Sequence, residues 1–214
     1  MATTMNRTAT IRRRTSPVRR QTEHGFSLLE VVISMVILTV GMVSLLGVFG
    51  LAMAATQTSQ QDMIAKQLAN EAYESIVTAH NTSQLNWDQI QNADATNCPI
   101  TGTSPCGIFT GATNSPTFEP LYNAGADGIF GTADDATAGE QTLQDPGPDG
   151  IFQTADDTFI PLTGYQRAIK LQPVVDSSGN TVTSVRSVTI TVKYATSQAA
   201  IPKTYILNSY ISEY

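Results

Sequence analysis

From Val31 to Ala55 the chain carries no charged residue and is almost wholly apolar. At about 1.5 Å per residue such a run reaches roughly 37 Å as a helix, enough to cross a hydrocarbon core of about 30 Å. Ahead of it lies a basic leader with Arg7, Arg12, Arg13, Arg14, Arg19 and Arg20, six of the twelve basic residues in the chain. Arginines on that side predict a leader in the cytoplasm and the remainder outside, by the positive-inside rule. One carboxylate, Glu30, sits at the head of the apolar run. An acidic group in mid-membrane is unfavourable by about 2.5–3.5 kcal/mol, so an intramembrane carboxylate points to a function. A cleaved secretory signal would have a shorter apolar core of about 7–15 residues, although Ala52-Met53-Ala54 has the small residues of a cleavage site. A plain signal anchor accounts for length and orientation, but leaves Glu30 and the Gly25-Phe26 junction as coincidences.

The segment Gly25-Phe26-Ser27-Leu28-Leu29-Glu30-Val31, behind its basic leader, resembles the class III signal of type IV prepilins and pseudopilins. The resemblance covers about residues 20–80. It implies that a prepilin peptidase/N-methyltransferase cuts between Gly25 and Phe26 and methylates the Phe26 amine. It also implies that Glu30, fifth in the mature chain, pairs with the charged amino terminus of a neighbouring subunit. An amine and a carboxylate attract strongly in a low dielectric, and a lone buried carboxylate is costly. The first turn of a helix also suits negative charge. Gly41, Gly47 and Gly50 fit either close helix packing or a stretch that unwinds on assembly.

Beyond Ala55 the periodicity changes. Ile64/Ala65, Leu68/Ala69, Ala72/Tyr73 and Ile76/Val77 recur every four positions, which is a helix with one apolar stripe. A single helix from Phe26 to about Ala79 is therefore expected, apolar all round in its first half and amphipathic in its second. Towards the C terminus the pattern becomes β-like. Strands are expected at Gly164–Val175, at Thr181–Ala195 and at Tyr205–Tyr214, with a turn at Asp176–Asn180. Short connections argue for an antiparallel meander laid on the amphipathic helix half, an α+β, pilin-like fold. The expected division is a leader at 1–25, a transmembrane and assembly helix at 26–55 and an amphipathic helix at 56–80. An irregular connection at 81–120, an acidic insertion at 121–160 and a β-sheet at 161–214 follow.

Cleavage after Gly25 leaves six basic against seventeen acidic residues, a net charge of about −11. Nucleic-acid binding rests on Lys and Arg at phosphates, so that class of partner is excluded. Cys98 and Cys106 lie in a Pro/Gly/Thr-rich stretch without a nearby His, which disfavours zinc. Outside the cytoplasm a disulfide is expected to close that loop, adding roughly 2–3 kcal/mol, with two unpaired thiols as the alternative.

An internal repeat lies in the acidic region. The segment from Asn123 to Asp135, with Asp127-Gly128-Ile129-Phe130 and Asp134-Asp135, returns 22 residues later from Asp145 to Asp157, with Asp149-Gly150-Ile151-Phe152 and Asp156-Asp157. Counted from Asp145, the spacing is a relative of the calcium loop of EF-hands, with Asp149 fifth, Gly150 sixth, the Ile151 carbonyl seventh and Asp156 twelfth. It departs from that loop at its third position, Gly147, and in having Asp rather than Glu at the twelfth. Residues 119–160 hold nine acids and no base. Repulsion among them would be offset by a hard divalent cation, and calcium suits carboxylates and carbonyls better than magnesium does. Candidate ligands are Asn123, Asp127, Asp134, Asp135, Asp145, Asp149, Asp156 and Asp157. The alternative is a pair of solvated Asx/Gly turns at a hairpin tip, and no cofactor is required.

The resemblance implies a structural subunit of a type IV pilus or pseudopilus. Its partners would be other pilin subunits, the prepilin peptidase and an inner-membrane assembly platform. Within the family, Val40-Gly41-Met42-Val43-Ser44-Leu45-Leu46-Gly47 and the Gln/Ala-rich helix after it look most like minor pilins of the type IV pilus modification kind. A membrane-anchored binding protein or adhesin, or a minor pseudopilin of type II secretion, is the alternative. Catalysis is disfavoured, because no His accompanies a nucleophile and no Gly-rich phosphate loop follows a strand.

Overall fold

The computed structural model describes residues 25–94, 107–111, 117–196 and 201–214. Cys98, Cys106 and the leader before Gly25 lie outside the described residues. Two compact units divide the chain, one ending at Val48 and the other running from Phe49 to Tyr214.

A single helix, α1, covers Leu28–Asn81. Its residues up to Val48 belong to the first unit and the rest to the second. In the first unit every described residue is exposed, including Phe26, Leu28, Ile37 and Leu45. Among the described residues this is the one helix long and apolar enough to cross a membrane. Ser34 and Ser44 return their hydroxyls to the carbonyls of Glu30 and Val40, which satisfies those hydroxyls within the helix itself. The helix runs unbroken through Gly41, Gly47 and Gly50, and a Cβ at any of them would meet nothing within 4 Å. Those glycines are therefore not required by contacts within this chain.

In the second unit, α1 buries Ala65, Leu68, Ala69, Ala72, Ile76 and Ala79, the stripe expected from the four-residue period. They pack on a four-stranded antiparallel sheet of order β1-β4-β5-β6. Its strands are β1 (Glu119–Pro120), β4 (Tyr165–Val175), β5 (Thr181–Tyr194) and β6 (Lys203–Ser212), while β2 (Thr142–Asp145) and β3 (Thr158–Pro161) form a separate two-stranded ribbon. The meander β4–β5–β6 agrees with the expected strands to within two or three residues. Alternation sets its faces: Val188, Ile190, Val192 and Tyr194 join the helix stripe in one core, while Thr189, Thr191 and Lys193 point away. On β6, Tyr205 and Leu207 face the core, and Ile206 and Tyr210 are exposed on the opposite face.

Polar contacts fix the helix to the sheet. The Tyr194 hydroxyl donates to Asp62 at 2.6 Å, which Lys203 also approaches at 3.5 Å. Burial and the neighbouring carboxylate push the Tyr194 hydroxyl well above its usual pKa. Ser209 donates to the Tyr73 hydroxyl at 2.8 Å. After α1, the buried Asn92 lies beside β4: its amide donates to the Ile169 carbonyl at 2.9 Å and its oxygen accepts from the Leu171 N–H at 2.8 Å. One side chain thus stands in for a strand residue. Trp87 packs against His80, lies under the Arg186 guanidinium at 4.6 Å and donates to the Thr183 carbonyl.

Truncating Ile76 to Ala should lower the stability of the full-length protein in detergent by about 2–5 kcal/mol, because the site is closed on all sides. Ile206→Ala, on the open face, should change it by less than about 0.5 kcal/mol. Urea melts followed by circular dichroism compare the two.

Candidate functional site

Gly25, Phe26 and Ser27 precede α1 in no regular structure, and all three are exposed. The Ser27 carbonyl accepts from the N–H groups of Glu30 and Val31, which opens the helix and sets Glu30 in its first turn. The Gly25–Phe26 peptide lies ahead of the helix and is exposed, and a Cβ on Gly25 would meet nothing within 4 Å. An accessible peptide with a small residue before the bond suits a peptidase, and Glu30 faces outward from the chain.

The two acidic repeats fold into the same loop. In the first, Asp127 accepts from the Ile129 N–H at 2.8 Å, Asp134 from the Asp127 N–H at 3.3 Å, and Asp135 from the N–H groups of Gly125 and Gly131 at 3.0 and 2.6 Å. The Thr132 hydroxyl donates to Asp134 at 2.6 Å. In the second, Asp149 accepts from Ile151 at 2.8 Å, Asp156 from Asp149 at 3.4 Å, Asp157 from Gln153 at 2.6 Å, and Thr154 donates to Asp156 at 2.7 Å. Gln144 adds a donor to Asp157. Gly128 and Gly150 take φ of +71° and +68°, where a side chain would be strained.

Among the described residues the carboxylates brought together are those of Asp127, Asp134 and Asp135, whose oxygens lie within 4.8 Å of one another. Among the described residues Asp145, Asp149, Asp156 and Asp157 form no such group. The Asn123 amide donates to the carbonyls of Ala138 and Glu140, and Asp145 accepts from the Gly147 N–H. The Ile151 carbonyl accepts the Thr154 hydroxyl, and the Ile129 carbonyl that of Thr132. Each loop thus satisfies its acids with its own N–H and hydroxyl donors. Carboxylate oxygens carry two lone pairs each, so these donors still leave acceptor capacity at the first loop.

The context of the two loops differs sharply. Ile129 and Phe130 are 1% and 9% exposed, whereas Ile151 and Phe152 are 60% and 57% exposed. The first loop is seated in the core: the Phe130 N–H donates to the Ser75 hydroxyl of α1, and the Arg167 guanidinium lies 4.7 Å from the Phe130 ring centroid. Arg167 is buried, with Glu71, Asp135 and Glu119 as its nearest negative groups; burial pulls its pKa down to about 10. It is the first Lys or Arg after Lys66. The second loop caps the β2–β3 ribbon, with Phe159 and Ile160 also exposed.

The Thr132 hydroxyl holds the Asp134 carboxyl below its ordinary range, and burial raises that of Asp135. A lowered acid adds stability above its unfolded pKa of about 3.9 and loses it as pH falls through the folded value. A raised acid does the reverse, weakening the fold as pH rises through its folded pKa. Thr132→Val should therefore flatten the loss of stability below about pH 4, read from urea melts at neutral and acid pH. Asp135→Ala leaves the part-buried N–H groups of Gly125 and Gly131 unpaired and should cost about 1–3 kcal/mol, against less than about 0.5 for Asp157→Ala on the exposed loop.

Residues 20–46 match the family model described as the prokaryotic N-terminal methylation motif. Neither the curated proteins nor the solved structures return a match. The matched segment contains Gly25, Phe26 and Glu30 and runs into the apolar part of α1. With an exposed Gly25–Phe26 peptide at the head of a membrane-length helix, the chain carries a class III signal of the type IV prepilin and pseudopilin type.

Proposed function

We propose that the chain is a minor pilin of a type IV pilus or of a related pseudopilus. The observation that carries this reading is the methylation motif at residues 20–46 heading a helix whose apolar residues up to Val48 are all exposed. An apolar surface of that extent needs a membrane or neighbouring helices around it. In the membrane the helix spans once, leader inside and head outside, by the arginine bias of the leader. Hydrolysis of the Gly25–Phe26 bond by a prepilin peptidase frees the Phe26 amine, which the same class of enzyme methylates. In the filament Glu30 meets that cation on an adjacent subunit, each neutralising the other away from water. The motif's family is structural rather than catalytic, and the role proposed here is assembly on an inner-membrane platform. The Val40–Gly47 run favours the minor pilins of the type IV pilus modification kind, with a type II secretion pseudopilin as the second system to test.

Mass spectrometry of the protein from its native membrane should show N-methylated Phe26 as the first residue. An intact leader would instead favour a membrane-anchored binding protein. Glu30→Leu should still insert in the membrane but be missing from sheared filaments; its normal incorporation would rule out the pairing.

For calcium, the first loop is the favoured place, since three carboxylates converge there. Millimolar calcium should raise the melting temperature of the full-length protein, and Asp134→Asn should abolish the shift. An unchanged melting temperature would remove the metal.

A further inference from the structure

The Asp-Gly-Ile-Phe turn occurs twice in the head with the same Asp-to-backbone hydrogen bond, and the buried copy shows what surroundings the exposed copy lacks. Around the first loop, Ile129 and Phe130 lie in the hydrophobic core, the Phe130 N–H donates to the Ser75 hydroxyl, and the Arg167 guanidinium covers the ring. The second loop holds Ile151 and Phe152 in solvent, and among the described residues no acceptor meets the Phe152 N–H. Its carboxylates stand beside the pair: Asp149 accepts from the Ile151 N–H, Asp157 from the Gln153 N–H and Asp156 from the Asp149 N–H. The ribbon that carries this loop continues the apolar patch. Leu143 and Ile160 lie opposite each other on it and are exposed, as is Phe159. Two strands alone enclose no core, so covering these side chains takes a partner.

The charges of the chain itself point away from a second copy as that partner. Beyond the leader the sequence has two arginines, Arg167 and Arg186. Both are buried, Arg167 over Phe130 and Arg186 over Trp87, so neither is free to cover a ring from another molecule. Exchange of the second loop into the seat of the first is blocked as well. Gln153 stands where the first loop has Gly131, and a Cβ at Gly131 would lie 2.5 Å from the Ile169 side chain. An anionic surface is repelled by the carboxylates of the tip.

We propose that the second loop is a docking knob for a different protein, which receives Ile151 and Phe152 in an apolar pocket with an arginine at its rim. That arginine lies over the Phe152 ring and beside Asp149 and Asp156, so that attraction to the ring and opposite charge act together. A planar guanidinium serves both contacts better than an ammonium. The pocket leaves room beside Phe152 for Gln153, which holds a φ of +68°. This contact goes beyond the filament role and does not depend on it.

The test uses the full-length chain in its native membrane. A photoreactive phenylalanine derivative in place of Phe152 should give, on illumination, an adduct with one other protein, whose joined peptide lies beside an arginine. The same derivative in place of the exposed Ile206 should not join that peptide. Asp149→Asn with Asp156→Asn keeps acceptors for the loop but removes charge, and should lower the adduct severalfold. Changing the partner's arginine to glutamate should abolish the adduct. Adding Pro148→Lys and Ala155→Lys at exposed positions of the tip should then restore it, which a misfolded variant would not do. Absence of an adduct, joining to lipid or to a second copy of this chain, a joined peptide without a nearby arginine, or an adduct insensitive to these charges would overturn the contact. The methylated Phe26 terminus is read separately, so the contact can fail while the filament reading stands.

Discussion

The head depends on the small-residue stripe of α1 lying against β5. Ala65, Ala69, Ala72 and Ala79 present little more than a methyl group each, and they share one core with the bulkier Val188, Ile190 and Val192 of the sheet. Large residues on one layer and small ones on the other interdigitate without voids, which is how interiors reach crystal-like density. The other contacts of the head follow from that shared core. Asp62 can reach Tyr194, Tyr73 can reach Ser209, and Ser75 can meet the backbone of the first acidic loop only because helix and sheet are already in place.

Periodicity made much of this legible. The four-residue stripe and the two-residue alternation of β5 are strong signals because each extends over three or more repeats, and α1, β4, β5 and β6 lie where they are expected. β1 has two residues and β2 and β3 four each, too few for an alternation to stand out from irregular chain. Their pairing is decided by what lies opposite: Glu119 is held against Arg167, and Leu143 against Ile160, across the chain rather than along it. Arg167 was illegible for a similar reason. A base within a strand reads as an outward residue until its neighbours, here Phe130 and three carboxylates, are known.

The repeats show the same limit more directly. Local sequence specifies the turn, because an Asp side chain two residues before an N–H and a glycine at positive φ close it without outside help. Local sequence does not specify burial, which differs between two nearly identical segments. Asp135 and Asp157 hold corresponding places in their loops, yet burial raises the pKa of one while hydrogen bonds lower that of the other. The expectation that these acids need a cation to relieve repulsion also changes in scale. Amide and hydroxyl dipoles already face them, so a loop of this kind closes on its own donors.

The joint at the end of α1 has one further consequence. Trp87 is the single tryptophan in the chain, and its indole is buried between His80 and Arg186 with its N–H tied to the Thr183 carbonyl. All the indole fluorescence of the molecule therefore originates at the seam between the helix end and β5. Its emission is a built-in optical gauge of whether the head is closed on its helix, independent of the membrane-length segment, where no tryptophan contributes.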